Sequence, residues 1–147
     1  MKAIVVSGTP GTGKTKVAKK LAKEKNLKYI DVNKILDKFK LKEKYDRKRR
    51  TWVVDVSKLN KVLINMISES GKGLIIDSHL SHYLPKKYVK LCIVCKCDLK
   101  ILKQRLIRRG YSKTKVRENL DAEIFDICLN EAREFGYKVK VVDTTKL

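Results

Sequence analysis

A chain of 147 residues, 43% of them hydrophobic, is the size of one domain and too apolar for a disordered segment. Lys and Arg number 36 against 16 Asp and Glu, a formal net charge of +20. That surplus fits either an electrostatic footprint for RNA, or for something already on RNA, or a solvated lysine-rich surface. No run of 18 apolar residues occurs, which excludes a membrane-spanning helix. A first strand starting at residue 2 leaves no room for a signal peptide, so a cytoplasmic chain with four reduced cysteines is expected.

Ala3 to Val6 is an apolar run that reads as a buried strand, and a helical pattern (Val17, Ala18, Leu21, Ala22) starts near Lys14. Between them Gly8, Gly13, Lys14 and Thr15 fit the spacing G-x-x-x-x-G-K-[ST], that of a phosphate-binding loop. Its glycines let backbone N–H groups point inward at an anion, and the new helix adds its positive end. Lys14 would reach the terminal phosphates, and the Thr15 hydroxyl would sit on a bound magnesium ion. A Gly-rich turn without a ligand is the plainer reading, and the correct strand and helix flanks argue against it.

The first helix runs from about Lys14 to Lys25 and ends near Asn26. Leu27 to Val32 reads as a short second strand, followed by a weak helix from Asn33 to Phe39. Lys40 to Arg50 is basic, poor in apolar residues and aperiodic, so it reads as an exposed or mobile excursion. Arg47, Arg49 and Arg50 in it could hold the phosphate of an acceptor nucleotide, contact RNA, or simply be solvated. Trp52 to Val56 is apolar again. A third helix, about Ser57 to Ser70, takes Ser57 as its N-cap and Gly71 as its stop.

Gly73 to Asp77 is a strand of the doubly buried kind that delivers an acid at its carboxyl end. Asp77 is the natural second magnesium anchor beside a phosphate loop. His79 leaves the strand on the same side if extended geometry continues, and could orient a water or a phosphate oxygen; a structural histidine is the alternative. His82 has less reason to be special. Lys90 to Lys96 is the fourth strand, with Cys92 on one face and Cys95 and Cys97 on the other. The three read as buried small hydrophobes rather than zinc ligands.

Asp98 caps a helix reaching Arg109, and Gly110-Tyr111-Ser112 interrupts it. Arg105 and Arg109 share a face, flanked by Arg108. Phosphoryl transfer needs cations that arrive and water that leaves, which a hinged arginine lid supplies; a basic helix end favoured by the helix dipole is the alternative. A long helix, about Lys113 to Phe135, stops at Gly136, and Val139 to Val142 is the fifth strand. Strands alternating with helices after a phosphate loop imply an α/β fold, a doubly wound five-stranded parallel sheet with helices on both faces. The ligand crevice then lies at the carboxyl ends of the strands.

The order of parts resembles an adenylate kinase: phosphate loop, small acceptor segment, acid strand, short arginine lid. More narrowly, the chain resembles the adenylate kinase isoenzyme 6 family of nuclear and archaeal ATPases linked to small-subunit ribosome assembly. The matching residues are Gly8 to Thr15, Lys28-Tyr29-Ile30-Asp31-Val32, Ile76-Asp77-Ser78-His79, Arg105-Leu106, Arg109-Gly110-Tyr111, Asn119 and Glu123-Ile124-Phe125. The resemblance runs from about Ile4 to Val142 and implies one P-loop NTPase domain over 1–147, an acceptor segment at about 31–54 and a lid at about 108–118. By position it implies that Gly11, Gly13, Lys14, Thr15 and Lys16 hold ATP phosphates and that Arg109 contacts ATP from the lid. Asp77 and His79 fall at the pair tied to metal, water and hydrolysis. Lys16 replaces the hydroxyl residue usual there, and the acceptor segment is more basic than that of nuclear members.

The activity so implied is magnesium-dependent phosphoryl transfer from ATP to AMP, with slower transfer to water. The implied partners are the platform protein of the small ribosomal subunit, the eleventh of its series, and small-subunit rRNA late in its 3′-end maturation. An ATP-driven assembly switch with little kinase role, or a small-molecule kinase of the shikimate type, are the alternatives.

Overall fold

The computed structural model describes residues 2–48, 51–78 and 84–147. In chain order these form β1 (Ala3–Gly8), α1 (Lys14–Lys25), β2 (Lys28–Asp31), α2 (Val32–Lys38), β3 (Lys42–Asp46), β4 (Thr51–Val54) and α3 (Val56–Glu69). They continue with β5 (Leu74–Asp77), a 3-10 turn at Lys86–Tyr88, β6 (Val89–Lys96), α4 (Leu99–Arg108), α5 (Lys113–Ile124), α6 (Ile127–Glu134) and β7 (Val139–Asp143). The main sheet has the order β2-β5-β1-β6-β7, with all four pairings parallel. This is the doubly wound P-loop sheet expected from the sequence. Because β1 is central, the chain winds to one side of it and then to the other, which opens a crevice at the strand carboxyl ends.

Alternation along the strands sorts the core. Ala3, Val5, Leu74, Ile76, Cys92 and Val94 join Leu59, Leu63 and Ile67 of α3 and Ala132 of α6 on one face. Ile4, Val6, Ile75, Ile93 and Cys95 meet Ala18 and Ala22 of α1 on the other. Apolar side chains pointing both ways in the central strands reflect helices on both faces. A third cluster joins Leu102 and Leu106 of α4 to Val116 of α5 and to Cys97 just beyond β6. Cys92 and Cys95 therefore lie on opposite faces, as the strand reading requires, and burial pushes each thiol up to about 12. No helix among the described residues is long and apolar enough to cross a membrane.

Several elements depart from the sequence reading. The described part of the 40–50 excursion is exposed, as expected, but it is a regular strand: β3 pairs antiparallel with β4, with Tyr45 opposite Trp52 and Lys44 opposite Val53. Among the described residues these strands pair only with each other; β3 is largely exposed and β4 half-buried, so burial patterning is weak there. The ribbon is tied at its base, where Leu41 is buried and accepts a bond from the Asp55 amide. The long helix from Lys113 is two helices, α5 and α6, broken at Asp126, which is left-handed at φ 52°. The break lets Asp126 reach Lys96 at 2.5 Å, a partner at the end of β6 that local periodicity cannot show.

Helix α3 is capped by Asp55, which accepts from the Lys58 amide, rather than by Ser57. Asp31 likewise caps α2 through the Asn33 amide, and Asp98 caps α4 as expected.

Candidate active site

Strand β1 ends at Gly8, and the loop Thr9–Gly13 turns the chain into α1. Gly8 sits at φ 154°, where an added Cβ would lie 2.9 Å from the Cys95 carbonyl of the neighbouring strand. Gly13 is the N-cap residue of α1 at φ 89°, with no capping side chain. The amides of the first helical turn lack intrahelical acceptors by construction, so this end of α1 presents N–H groups and positive dipole to an anion.

The loop's polar side chains hold it from behind. Thr12 is buried, and its hydroxyl donates to the Thr9 carbonyl at 2.7 Å. The Thr9 hydroxyl donates to Glu123 Oε1 of α5 at 3.1 Å, and the Thr144 hydroxyl donates to the Thr12 carbonyl. Glu123 is itself buried; its Oε2 accepts from the Cys97 amide at 2.8 Å, and Lys96 Nζ lies 2.9 Å from Oε1. Burial alone would lower the Lys96 pKa, but its bonds to Asp126 and Glu123 outweigh that and hold it above the usual lysine range. The phosphate loop is thus braced by α5 and by the segment after β7.

At the carboxyl end of β5, Asp77 is buried and aligned with Val6 of β1 and Asp31 of β2. Its Oδ2 accepts from the Thr15 hydroxyl at 2.7 Å and from the Tyr29 hydroxyl at 2.6 Å. Lys14 Nζ stands 4.0 Å from Oδ1. Burial first, then the bond to Asp77, pushes the Tyr29 phenol upward, so it stays a donor. A small cavity of about 50 Å³ lies against Lys14, Thr15, Asp31, Asn33 and Asp77. The donor set suits a magnesium ion, which takes one or two protein oxygens and keeps several waters or phosphate oxygens. The Thr15 hydroxyl, donating its proton to Asp77, retains lone pairs for such an ion.

Beside it opens a cavity of about 570 Å³ lined by Gly11, Gly13, Lys14, Thr15, Lys16, Asn33, Arg105, Arg108, Arg109 and Leu147. Five cations and one helix N-terminus around one space are suited to a polyphosphate. Arg108 and Arg109 are exposed at its edge, and Gly110 to Ser112 link them to α5. The Arg105 guanidinium is differently placed: Nη2 donates to the carbonyls of Thr144, Thr145 and Leu147, and Nη1 to Cys97 Sγ at 3.4 Å and the Thr12 carbonyl at 3.5 Å. It stands in the wall of the cavity, holding the loop.

The structure therefore gathers Gly11, Gly13, Lys14, Thr15, Lys16, Asp77, Arg105 and Arg109 around adjoining cavities. His79 and His82 lie outside the described residues, as do Arg49 and Arg50. Arg47 is exposed in the turn after β3. Tyr29 and Glu123 stand among the family-matching residues, but sequence reasoning gave them no role as supports, and it missed Thr144 altogether; a polar side chain in or beside an otherwise apolar strand or helix face is a further signal for all three.

The family model described as an AAA domain matches residues 4–126. Over 142 residues the chain is 42% identical to a Methanocaldococcus jannaschii protein named "Putative adenylate kinase", covering 97% of this chain and 76% of that one. It is 32% identical over 139 residues to the adenylate kinase isoenzyme 6 homolog of Dictyostelium discoideum, covering 95% and 78%. A crystal structure of shikimate kinase from Bacteroides thetaiotaomicron superposes with a TM-score of 0.58 at 15% identity, covering 97% of this chain and 86% of that one. At that identity the likeness concerns the fold.

Proposed function

The chain belongs to the adenylate kinase isoenzyme 6 family, and on that premise we propose that it transfers the γ-phosphoryl group of ATP to AMP and, more slowly, to water. At the coarser level it is an adenylate-kinase-like nucleotide kinase. The observation that carries the reading is the large cationic cavity opening directly beside the Thr15–Asp77 pair. In this reading Lys14, Lys16 and the loop amides hold the β and γ phosphates. Magnesium, when bound by Thr15 and Asp77, offsets charge on those phosphates. Arg109, with Arg108, closes from the 108–118 lid over the migrating group. Arg105 braces the loop that positions it, and swings toward phosphate only by releasing its carbonyl partners. His79 orients the water when the acceptor place is empty, and the acceptor nucleotide belongs to the 31–54 segment.

The test is ADP formation from ATP, AMP and magnesium by the pure chain. A Lys14→Ala variant should lose it by several orders of magnitude, and His79→Ala should lower ATP hydrolysis without AMP more than ADP formation with it. ADP formation no greater than that of Lys14→Ala sinks the kinase reading; equal losses in both assays remove His79 from the hydrolytic role. The net charge of +20 favours a second, compatible role: an ATP-driven step in late small-subunit assembly, at 16S rRNA 3′-end maturation. The partners there are the eleventh small-subunit (platform) protein and the rRNA. Low-salt pull-downs that recover neither partner would remove that role.

A further inference from the structure

We propose that the β3–β4 ribbon is a docking platform for single-stranded polynucleotide, with bases stacking on Tyr45 and Trp52 and backbone phosphates held by the lysines around them. Tyr45 and Trp52 stand directly opposite each other on the two strands, their ring centroids 5.4 Å apart in an edge-to-face arrangement. Such a cross-strand pair stabilises a ribbon. Here, however, Tyr45 is 48% exposed and Trp52 47% exposed, so about half of each residue stays open to solvent.

One cation stands over the Trp52 ring, and others line the same stretch of chain. Lys42 Nζ lies 5.7 Å from the Trp52 ring, and Lys38 Nζ lies 5.5 Å from the ring of Phe39, which is itself 45% exposed. Lys40, Lys44, Arg47 and Lys48 are exposed along the same stretch. From residue 38 to 48 basic side chains outnumber acidic ones six to two, and one acid nearby, Asp37, is already paired with Lys42 at 2.9 Å. The charge selects a polyanion. The open aromatic pair selects one whose groups present π-faces, which separates a nucleic acid strand from a phospholipid surface. A base stacks on an exposed ring only when it is not held inside a duplex, so the strand is single. The inference rests on the rRNA partner proposed above and gives it a place on the chain; it is independent of phosphoryl transfer and of Lys14, and the ribbon falls within the segment proposed for the acceptor nucleotide.

Trp52 is the only tryptophan of the chain, so intrinsic fluorescence reports on the platform directly. The full chain is titrated at 50 mM salt with a uridine 12-mer, a 12-base-pair RNA duplex, AMP, and vesicles containing anionic phospholipid. The expected result is saturable quenching by the 12-mer, little by the duplex and the vesicles, and no displacement of the 12-mer by AMP. The 12-mer affinity should fall with a slope of about −3 in log salt, for four or so neutralised phosphates. Tyr45→Ala should weaken a labelled 12-mer about 10-fold in anisotropy while lowering the melting midpoint by no more than about 3 °C, and Tyr45→Phe should retain most of the affinity. Lys14→Ala should bind the strand like the parent chain even though it makes no ADP. No quenching by the 12-mer overturns the proposal. So do equal quenching by duplex or vesicles, quenching by AMP that competes with the 12-mer, and loss of binding in Lys14→Ala.

Discussion

Replacing Glu123 by Ala should reveal how strongly the phosphate loop depends on α5. The carboxylate is 5% exposed as a residue and serves three donors. Without it the Cys97 amide, in a residue only 7% exposed, loses its acceptor, which costs about 1–3 kcal/mol. Lys96 is not orphaned, because Asp126 at 2.5 Å and the Glu123 carbonyl at 2.9 Å remain. The 3–5 kcal/mol typical of a broken buried pair therefore applies only in part, about 1 kcal/mol. The Thr9 hydroxyl can rotate, so its share is below about 1 kcal/mol. The sum is about 2–5 kcal/mol, or a fall of about 6–15 °C in melting midpoint for a chain of this size. Glu123→Gln keeps one acceptor oxygen and should lose about half as much. Because Thr9 opens the phosphate loop, the ATP concentration for half-maximal rate should rise in both variants. Thermal denaturation by circular dichroism and an ATP titration of rate check both statements. A Glu123→Ala midpoint within about 2 °C of the parent chain refutes the reasoning.

Tyr29→Phe removes the 2.6 Å bond to Asp77 while keeping the ring. It should cost about 1–2 kcal/mol by urea denaturation and weaken magnesium binding, measured calorimetrically on the ATP-saturated chain, by about 10-fold; an unchanged magnesium affinity would show that Thr15 alone orients the carboxylate. Alkaline pH should also unfold the protein early. Burial pushes the Cys92 and Cys95 thiols from the ordinary 9.0 up to about 12, so above pH 9 the unfolded chain binds fewer protons and stability falls. Each thiol contributes about 1.4 kcal/mol per pH unit between those values, or about 3 kcal/mol for the pair between pH 8 and 10. Urea midpoints at the two pH values should show this loss, and a Cys92→Ala/Cys95→Ala chain, which keeps the also-raised thiols of Cys97 and Cys128, should show less of it; parallel losses in both chains would exclude Cys92 and Cys95 as the source.

Residues adjacent in the chain wrote most of the main sheet. Ala3 to Val6, Leu74 to Ile76 and Leu91 to Cys95 are apolar in consecutive positions because both faces of those strands are covered. That composition is visible without knowing what covers them. The phosphate loop is legible for a similar reason: Gly8, Gly13, Lys14 and Thr15 act through backbone angles and a helix end that they create themselves. Asp98 could be recognised as a cap because its acceptors serve amides two and three residues on. Where a strand such as β3 lies largely exposed and pairs with one half-buried neighbour, alternation fades and the sequence shows mostly charge.

The remaining features depend on groups far apart in the chain. Tyr29 reaches Asp77 because β2 pairs with β5 in one particular register. Glu123 reaches Thr9 across 114 positions, and Arg105 finds Thr144, Thr145 and Leu147 rather than standing free in a lid. Asp126 breaks an otherwise continuous helical pattern in order to meet Lys96. A local pattern records which surfaces of an element must be covered or solvated. It carries no record of which distant donor will meet which acceptor, since that is settled when the layers pack and buried polar groups find partners.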